Sequence, residues 1–154
     1  MKLILNFVVL FFVFSCEPRI KKDNFKIIDF DSANARVNFD NLGYAHYKHN
    51  SRTSLNEEEF SVLFQILEEG VNRFNVKNKN RQIDINDYRF FIIPTLFENN
   101  EEILLIYSYR FYPHNEWINL SDWFMVFDGG HNYFRTKVNL TQKKAGKIIP
   151  NGEA

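Results

Sequence analysis

Cysteine is all but missing from this chain, which has one, Cys16, in 154 residues. A lone cysteine excludes a disulfide framework and leaves no thiolate pair for a zinc or iron–sulfur set. An excess of either charge is also missing, with 19 Lys and Arg against 19 Asp and Glu. Such a balance supplies no clustered basic face, so nucleic acid is not an expected partner. Glycine is sparse: six residues, of which only Gly129 and Gly130 adjoin, too few for a phosphate-cradling loop. No G-x-S-x-G elbow accompanies the serines. Long apolar runs are lacking as well. The longest, residues 3–14 broken by Asn6, would span roughly 20 Å as a helix, short of the roughly 20 residues that cross a bilayer. Aromatic side chains, by contrast, are plentiful at 17%, which calls for an aromatic-rich core or an aromatic binding surface.

The apolar run has a basic start, Met1-Lys2, and ends at a small residue, Ser15, directly before Cys16. Those are the parts of a secretory signal peptide. The stretch Val13-Phe14-Ser15-Cys16 resembles the lipobox of bacterial lipoproteins, with Val13 and Phe14 where leucine and a small residue are usual. The resemblance implies a diacylglyceryl group on the Cys16 thiol, cleavage before it, and acylation of the new amine. Ordinary signal cleavage, or an uncleaved anchor with a free thiol, are the alternatives. Two or three acyl chains anchor a protein stably where one is marginal. Residues 1–15 are therefore expected to be a signal peptide, 16–24 a lipidated polar tether, and 25–154 one domain. The expected location is the cell envelope, lipid-anchored to a bacterial membrane, the outer one, with membrane lipid as the partner of acylated Cys16.

Residues 25–30 could form a first short strand, and residues 31–52 read as polar and irregular. Within them Asp31-Ser32-Ala33 resembles the D-S/T-A signal for O-glycosylation in Bacteroidota envelope proteins. Ser54 and Glu57 form a capping box, and Phe60, Leu63, Phe64, Leu67, Val71 and Phe74 then make one apolar stripe. A helix is expected over 54–75, with Gly70 inside it allowing close approach to a sheet. Four strand-like runs follow. A two-residue loop at Asn99-Asn100 would set Leu96 opposite Ile103, Ile92 opposite Tyr107 and Phe90 opposite Tyr109. Pro94 cannot donate to a ladder and belongs at an edge or bulge. A second hairpin, residues 123–127 with 132–140, would turn at Gly129-Gly130, placing Phe134, Val138 and Leu140 on one face. The expected architecture is α+β, one long amphipathic helix on a four-stranded antiparallel sheet, similar to the cystatin-like or NTF2-like roll.

Chemistry-bearing residues are scattered. Asp128-Gly129-Gly130-His131 is explained by turn formation. His46 and His49 lack a helical period and a completing acidic pair, so neither a metal nor another cofactor is expected. Asn119-Leu120-Ser121 and Asn139-Leu140-Thr141 match the N-glycosylation pattern, which has little meaning in a bacterial lipoprotein. The loop carrying His114 and Trp117 is suggestive, because an indole combines a broad apolar face with one donor; it is expected to pack as a lid over the sheet end, with a contact surface as the alternative.

Asp128-Gly129-Gly130, Tyr133-Phe134, Lys137-Val138-Asn139-Leu140 and the terminal Asn151-Gly152-Glu153-Ala154 resemble the closing signature of small uncharacterised lipoproteins of Bacteroidota. That likeness implies a secreted, membrane-tethered domain and transfers no catalytic residues. The resulting expectation is a non-enzymatic envelope module that binds a protein, peptide or glycan. The alternative is a small-molecule carrier with an aromatic pocket between helix and sheet, with an enzyme third.

Overall fold

The computed structural model describes residues 22–36, 44–110 and 128–152. In chain order these form β1 (Phe25–Ile27), α1 (Phe30–Arg36), β2 (Lys48–His49), α2 (Glu57–Lys77), β3 (Tyr88–Leu96), β4 (Glu102–Arg110), β5 (Tyr133–Asn139), β6 (Lys144–Ala145) and β7 (Ile149–Pro150). The chain is a mixed α/β protein. Among the described residues it has two α-helices and a seven-stranded sheet, rather than one helix on four strands. The sheet order is β1-β3-β4-β5-β6, with β2 also on β3 and β7 also on β5. Nor is the sheet wholly antiparallel, since β1 runs parallel to β3 with Phe25 beside Phe90.

The polar stretch 31–52 contains the helix α1, whose pattern is too short to show a period. Asp29 caps it by accepting the Ser32 amide at 2.9 Å, and Phe30 and Ala33 are its buried residues. Ser32 is thus exposed in a first helical turn while Ala33 is fully buried. Lys22–Asn24, expected to close the tether, form a 3-10 turn on the domain. There Lys22 Nζ meets Glu57 Oε1 at 2.8 Å and lies over the Phe60 ring.

The long helix starts three residues later than expected and ends two later. Its cap is Asn56, not Ser54: Glu59 N donates to Asn56 Oδ1 and Asn56 N to Glu59 Oε2, both at 2.9 Å. The capping box is the anticipated device in a different frame. The frame is decided by Leu55, which is buried in the same cluster as Phe60 and so occupies the position before the cap, as in a hydrophobic staple. Of the stripe, Leu63, Leu67 and Val71 are buried, joined by Ile66 and Gly70. Phe60, Phe64 and Phe74 pack at its margins.

The β3–β4 register differs by one residue from the expected one. Phe90 faces Ser108, Ile92 faces Ile106 and Leu96 faces Glu102. The loop has three residues, 98–100, closed by Phe97 N to Glu101 O and Asn100 N to Phe97 O, each 2.8 Å. A two-residue type I′ loop needs positive φ at both central residues; here only Asn100 has it, at 61°. One slipped residue exchanges every facing pair. Phe90, Ile92, Leu104 and Ile106 consequently share the face under α2. Phe91, Ile93, Leu105, Tyr107 and Tyr109 share the other, which Phe30, Ala33 and Tyr44 join. α1 covers that second apolar face, whereas β1 lies at the sheet edge.

Strand β5 pairs directly with β4, Leu104 beside Val138, and its other edge is taken by β6 and β7. The expected meander, with residues 123–127 hairpinned onto 132–140, is therefore not the pairing that β5 makes; residues 123–127 lie outside the described residues. Its parity is as anticipated, with Phe134 and Val138 buried beneath α2 and Leu140 packed beside them. Pro94 lies in β3, in the gap where β1 has ended at Ile92 and β2 begins at Thr95. Ile92 O accepts from Ile28 N, so by two-residue alternation the Pro94 nitrogen faces that same gap, an edge in effect.

Candidate functional site

The candidate sites named from sequence, Cys16, His114 and Trp117, all lie outside the described residues. What the structure assembles instead is a polar cleft at the C-terminal half of α2. Glu68, Asn72 and Asn75 form one wall, and the segment 82–87 forms the other. Tyr88 and Arg110, at the ends of β3 and β4, close its base, and the open cleft has a volume of about 370 Å³.

Its walls are held by side-chain amides. Asn75 donates through Nδ2 to Ile83 O and accepts from Ile83 N through Oδ1, each at 2.8 Å. That pair docks the 82–87 segment onto the helix as a strand partner would. Ile83 and Ile85 are buried and seat the segment on the core cluster that includes Val71. Asp84 Oδ1 accepts from Asn86 N at 3.0 Å and Asn86 Nδ2 at 2.8 Å, starting the 3-10 turn Ile85–Asp87. Asp87 Oδ2 is paired with Arg110 Nη2 at 2.8 Å, both side chains about two-fifths exposed. The Tyr88 hydroxyl leaves the cleft to donate to His131 O at 2.6 Å. None of these residues formed a motif, because they come from three separated segments that only the packing of α2 brings together.

The space between α2 and the sheet is filled. Leu63, Leu67, Phe90, Ile92, Leu104 and Phe134 are all essentially solvent-free. An aromatic pocket between helix and sheet is not what these residues form, and the cleft they leave is polar.

The histidines of HYKH part company. His46 pairs with Glu98. His49 Nδ1 lies 3.1 Å from Asp31 Oδ2 and 3.8 Å from Asp29 Oδ2, an exposed imidazole between two carboxylates at the start of α1. The backbone amide of Ser32, foremost, holds the Asp29 carboxyl below its ordinary pKa. On the α1 side of the sheet, Lys137 Nζ sits 4.8 Å from the Tyr44 ring centre and 4.7 Å from that of Tyr47. Burial pushes the Tyr107 and Tyr109 hydroxyls up, keeping both neutral.

Residues 128–133 and 150–152 are tied together by hydrogen bonds. Gly130 N donates to Gly152 O at 3.0 Å, Asn151 N to Tyr133 O at 3.0 Å, and Asn151 Nδ2 to Asp128 O at 3.4 Å. The glycine turn and the chain's close are thus bonded to one another around β7. Asn139 is buried in β5, its amide donating to Glu101. Among the described residues no helix is long and apolar enough to cross a membrane. Comparison of the chain with protein-family models, with curated proteins and with solved structures finds no match.

Proposed function

We propose that the chain is a lipid-anchored module of a bacterial cell envelope, held to the membrane through Cys16, whose folded part binds a ligand rather than transforming it. One observation carries the reading. An apolar run too short to span a bilayer ends at Ser15-Cys16, and a domain with its own packed core starts six residues later at Lys22. Those six residues reach at most about 20 Å, so an acylated Cys16 would hold the domain close to the lipid surface. The outer membrane is the location we assign, and a protein, peptide or glycan the class of partner.

Fatty-acid labelling of the wild-type chain and Cys16→Ala in a bacterial host tests it. The wild type takes up label and partitions with membranes, and Cys16→Ala does neither. Equal labelling of both, or recovery of wild-type material that retains Met1, would end the reading. Protease treatment of intact cells then tells a surface-exposed domain from a periplasmic one.

A further inference from the structure

We infer that the side chains of Asp29, Asp31 and His49 form a binding site for a divalent transition-metal ion such as zinc. The site is independent of the membrane anchor and of the polar cleft.

Three donors converge from two segments of the chain. Asp29 and Asp31 flank the first residue of α1, and His49 lies in β2. The fold thereby supplies the acidic pair that the HYKH stretch lacks among its own neighbours. One ligand atom from each residue lies within 4.8 Å of the other two. Zinc bonds of about 2.1 Å in a tetrahedron put neighbouring donors about 3.4 Å apart. The distances from His49 Nδ1 to Asp31 Oδ2 and Asp29 Oδ2, 3.1 and 3.8 Å, bracket that edge.

Two of the donors are positioned in advance. Asp29 Oδ1 accepts the Ser32 amide at 2.9 Å, while Oδ2 of the same carboxyl is the oxygen nearer His49. An outer hydrogen bond of this kind orients a metal-binding carboxylate. His49 is held by the pairing of β2 with Thr95 of β3. All three side chains are about half exposed or more, so the remaining coordination positions are open to water.

Charge and ligand type select the ion. Two carboxylates beside one imidazolium leave a negative charge uncompensated, whereas a divalent cation beside a neutral imidazole balances both. Imidazole suits zinc, copper and nickel. Calcium takes about six to eight oxygens and magnesium a rigid oxygen octahedron, so one nitrogen among three donors disfavours both.

The test uses the full chain as Cys16→Ala in detergent, free of any histidine tag, so that no thiolate competes for the metal. Isothermal titration with ZnCl2 is expected to show one site with Kd on the order of 10 μM, weaker than a closed four-ligand site. CaCl2 and MgCl2 should bind at least about tenfold more weakly. His49→Gln, Asp31→Asn and Asp29→Asn should each lose at least about tenfold in zinc affinity, the loss that removal of even an outer partner causes. Asp29→Asn retains a side-chain cap on α1, and His46→Gln, outside the site, should bind zinc as its parent does. Zinc at about a hundredfold excess over Kd should raise the parent's thermal midpoint by roughly 5–10 °C and leave that of His49→Gln unchanged. No zinc binding tighter than about 1 mM, equal affinity in the parent and His49→Gln, or calcium binding as tight as zinc overturns the inference.

Discussion

At the scale of single residues, short polar contacts decide where elements begin and turn. Asn56 satisfies an amide of α2 that has no intrahelical partner, and Asn56→Ala is expected to cost about 1 kcal/mol in urea unfolding. Its reciprocal partner Glu59 also binds Arg52 Nη1 at 2.7 Å. The amide of Asn56 and then Arg52 hold the Glu59 carboxyl below its ordinary pKa. A depressed folded-state pKa adds stability above the ordinary glutamate value, and that stability is lost as pH falls through the folded-state value. The urea midpoint of wild type should therefore drop more between pH 6 and pH 3 than that of Glu59→Gln. Asn100 is the one left-handed residue of the β3–β4 loop, a conformation costing β-branched side chains about 1–2 kcal/mol. Asn100→Val should lower stability by about that amount, and Asn100→Gly should be neutral or slightly stabilising.

At the scale of elements, α2 and the sheet meet through a small residue. A Cβ on Gly70 would come 3.3 Å from the Ala145 Cβ of β6 and 3.7 Å from Ile148 Cδ1. An alanine there gains up to about 1 kcal/mol of helix propensity against a tight contact that β6 must shift a few tenths of an ångström to relieve, so the two effects oppose and Gly70→Ala should be close to neutral. Gly70→Leu has no such room and should destabilise by about 1–3 kcal/mol, seen as a lower thermal midpoint without loss of far-ultraviolet helix signal in the folded state. The periodicity of α2 was legible in its sequence, and so was its close approach to the sheet at Gly70. Its frame at the start was not, because Ser54-x-x-Glu57 and Asn56-x-x-Glu59 are equally good boxes, and the buried Leu55 chose between them. The β3–β4 hairpin was legible as a hairpin, yet its register turned on the φ of Asn99, which two adjacent asparagines leave open.

At the scale of the whole molecule, β3 and β4 form the centre of a three-layer arrangement with α2 on one face and α1 on the other. Both strands read as near-continuous apolar runs for that reason, as strands buried on both faces do. Phe134 of β5 packs against Tyr88 and Phe90 at ring distances of 5.1 and 6.3 Å. Phe134→Ala is expected to cost about 3–5 kcal/mol, measured by denaturant unfolding. Hydrogen exchange should be slowest at Ile92 and Ile106, in the middle of the sheet, and faster in the two-residue strands β6 and β7. The polar cleft belongs to this scale too. Glu68, Gln82 and Arg110 are up to 42 positions apart, and no local pattern could have joined them.

Local rules sufficed for whatever depends on neighbours in the chain: the apolar run closing at Cys16, the amphipathic stripe of α2, the paired positive φ angles of Gly129 and Gly130, and the inward face of β5. Each is a matter of periodicity, turn stereochemistry or composition within a dozen residues. Pairing partners were decided only when distant surfaces competed for burial. The apolar faces of β3 and β4 had to be covered on both sides, which drew α1 out of a stretch with no helical signal, and β5 was set against β4. Side-chain hydrogen bonds such as Asn75 with Ile83 then closed what burial had assembled, and the cleft exists only as their consequence.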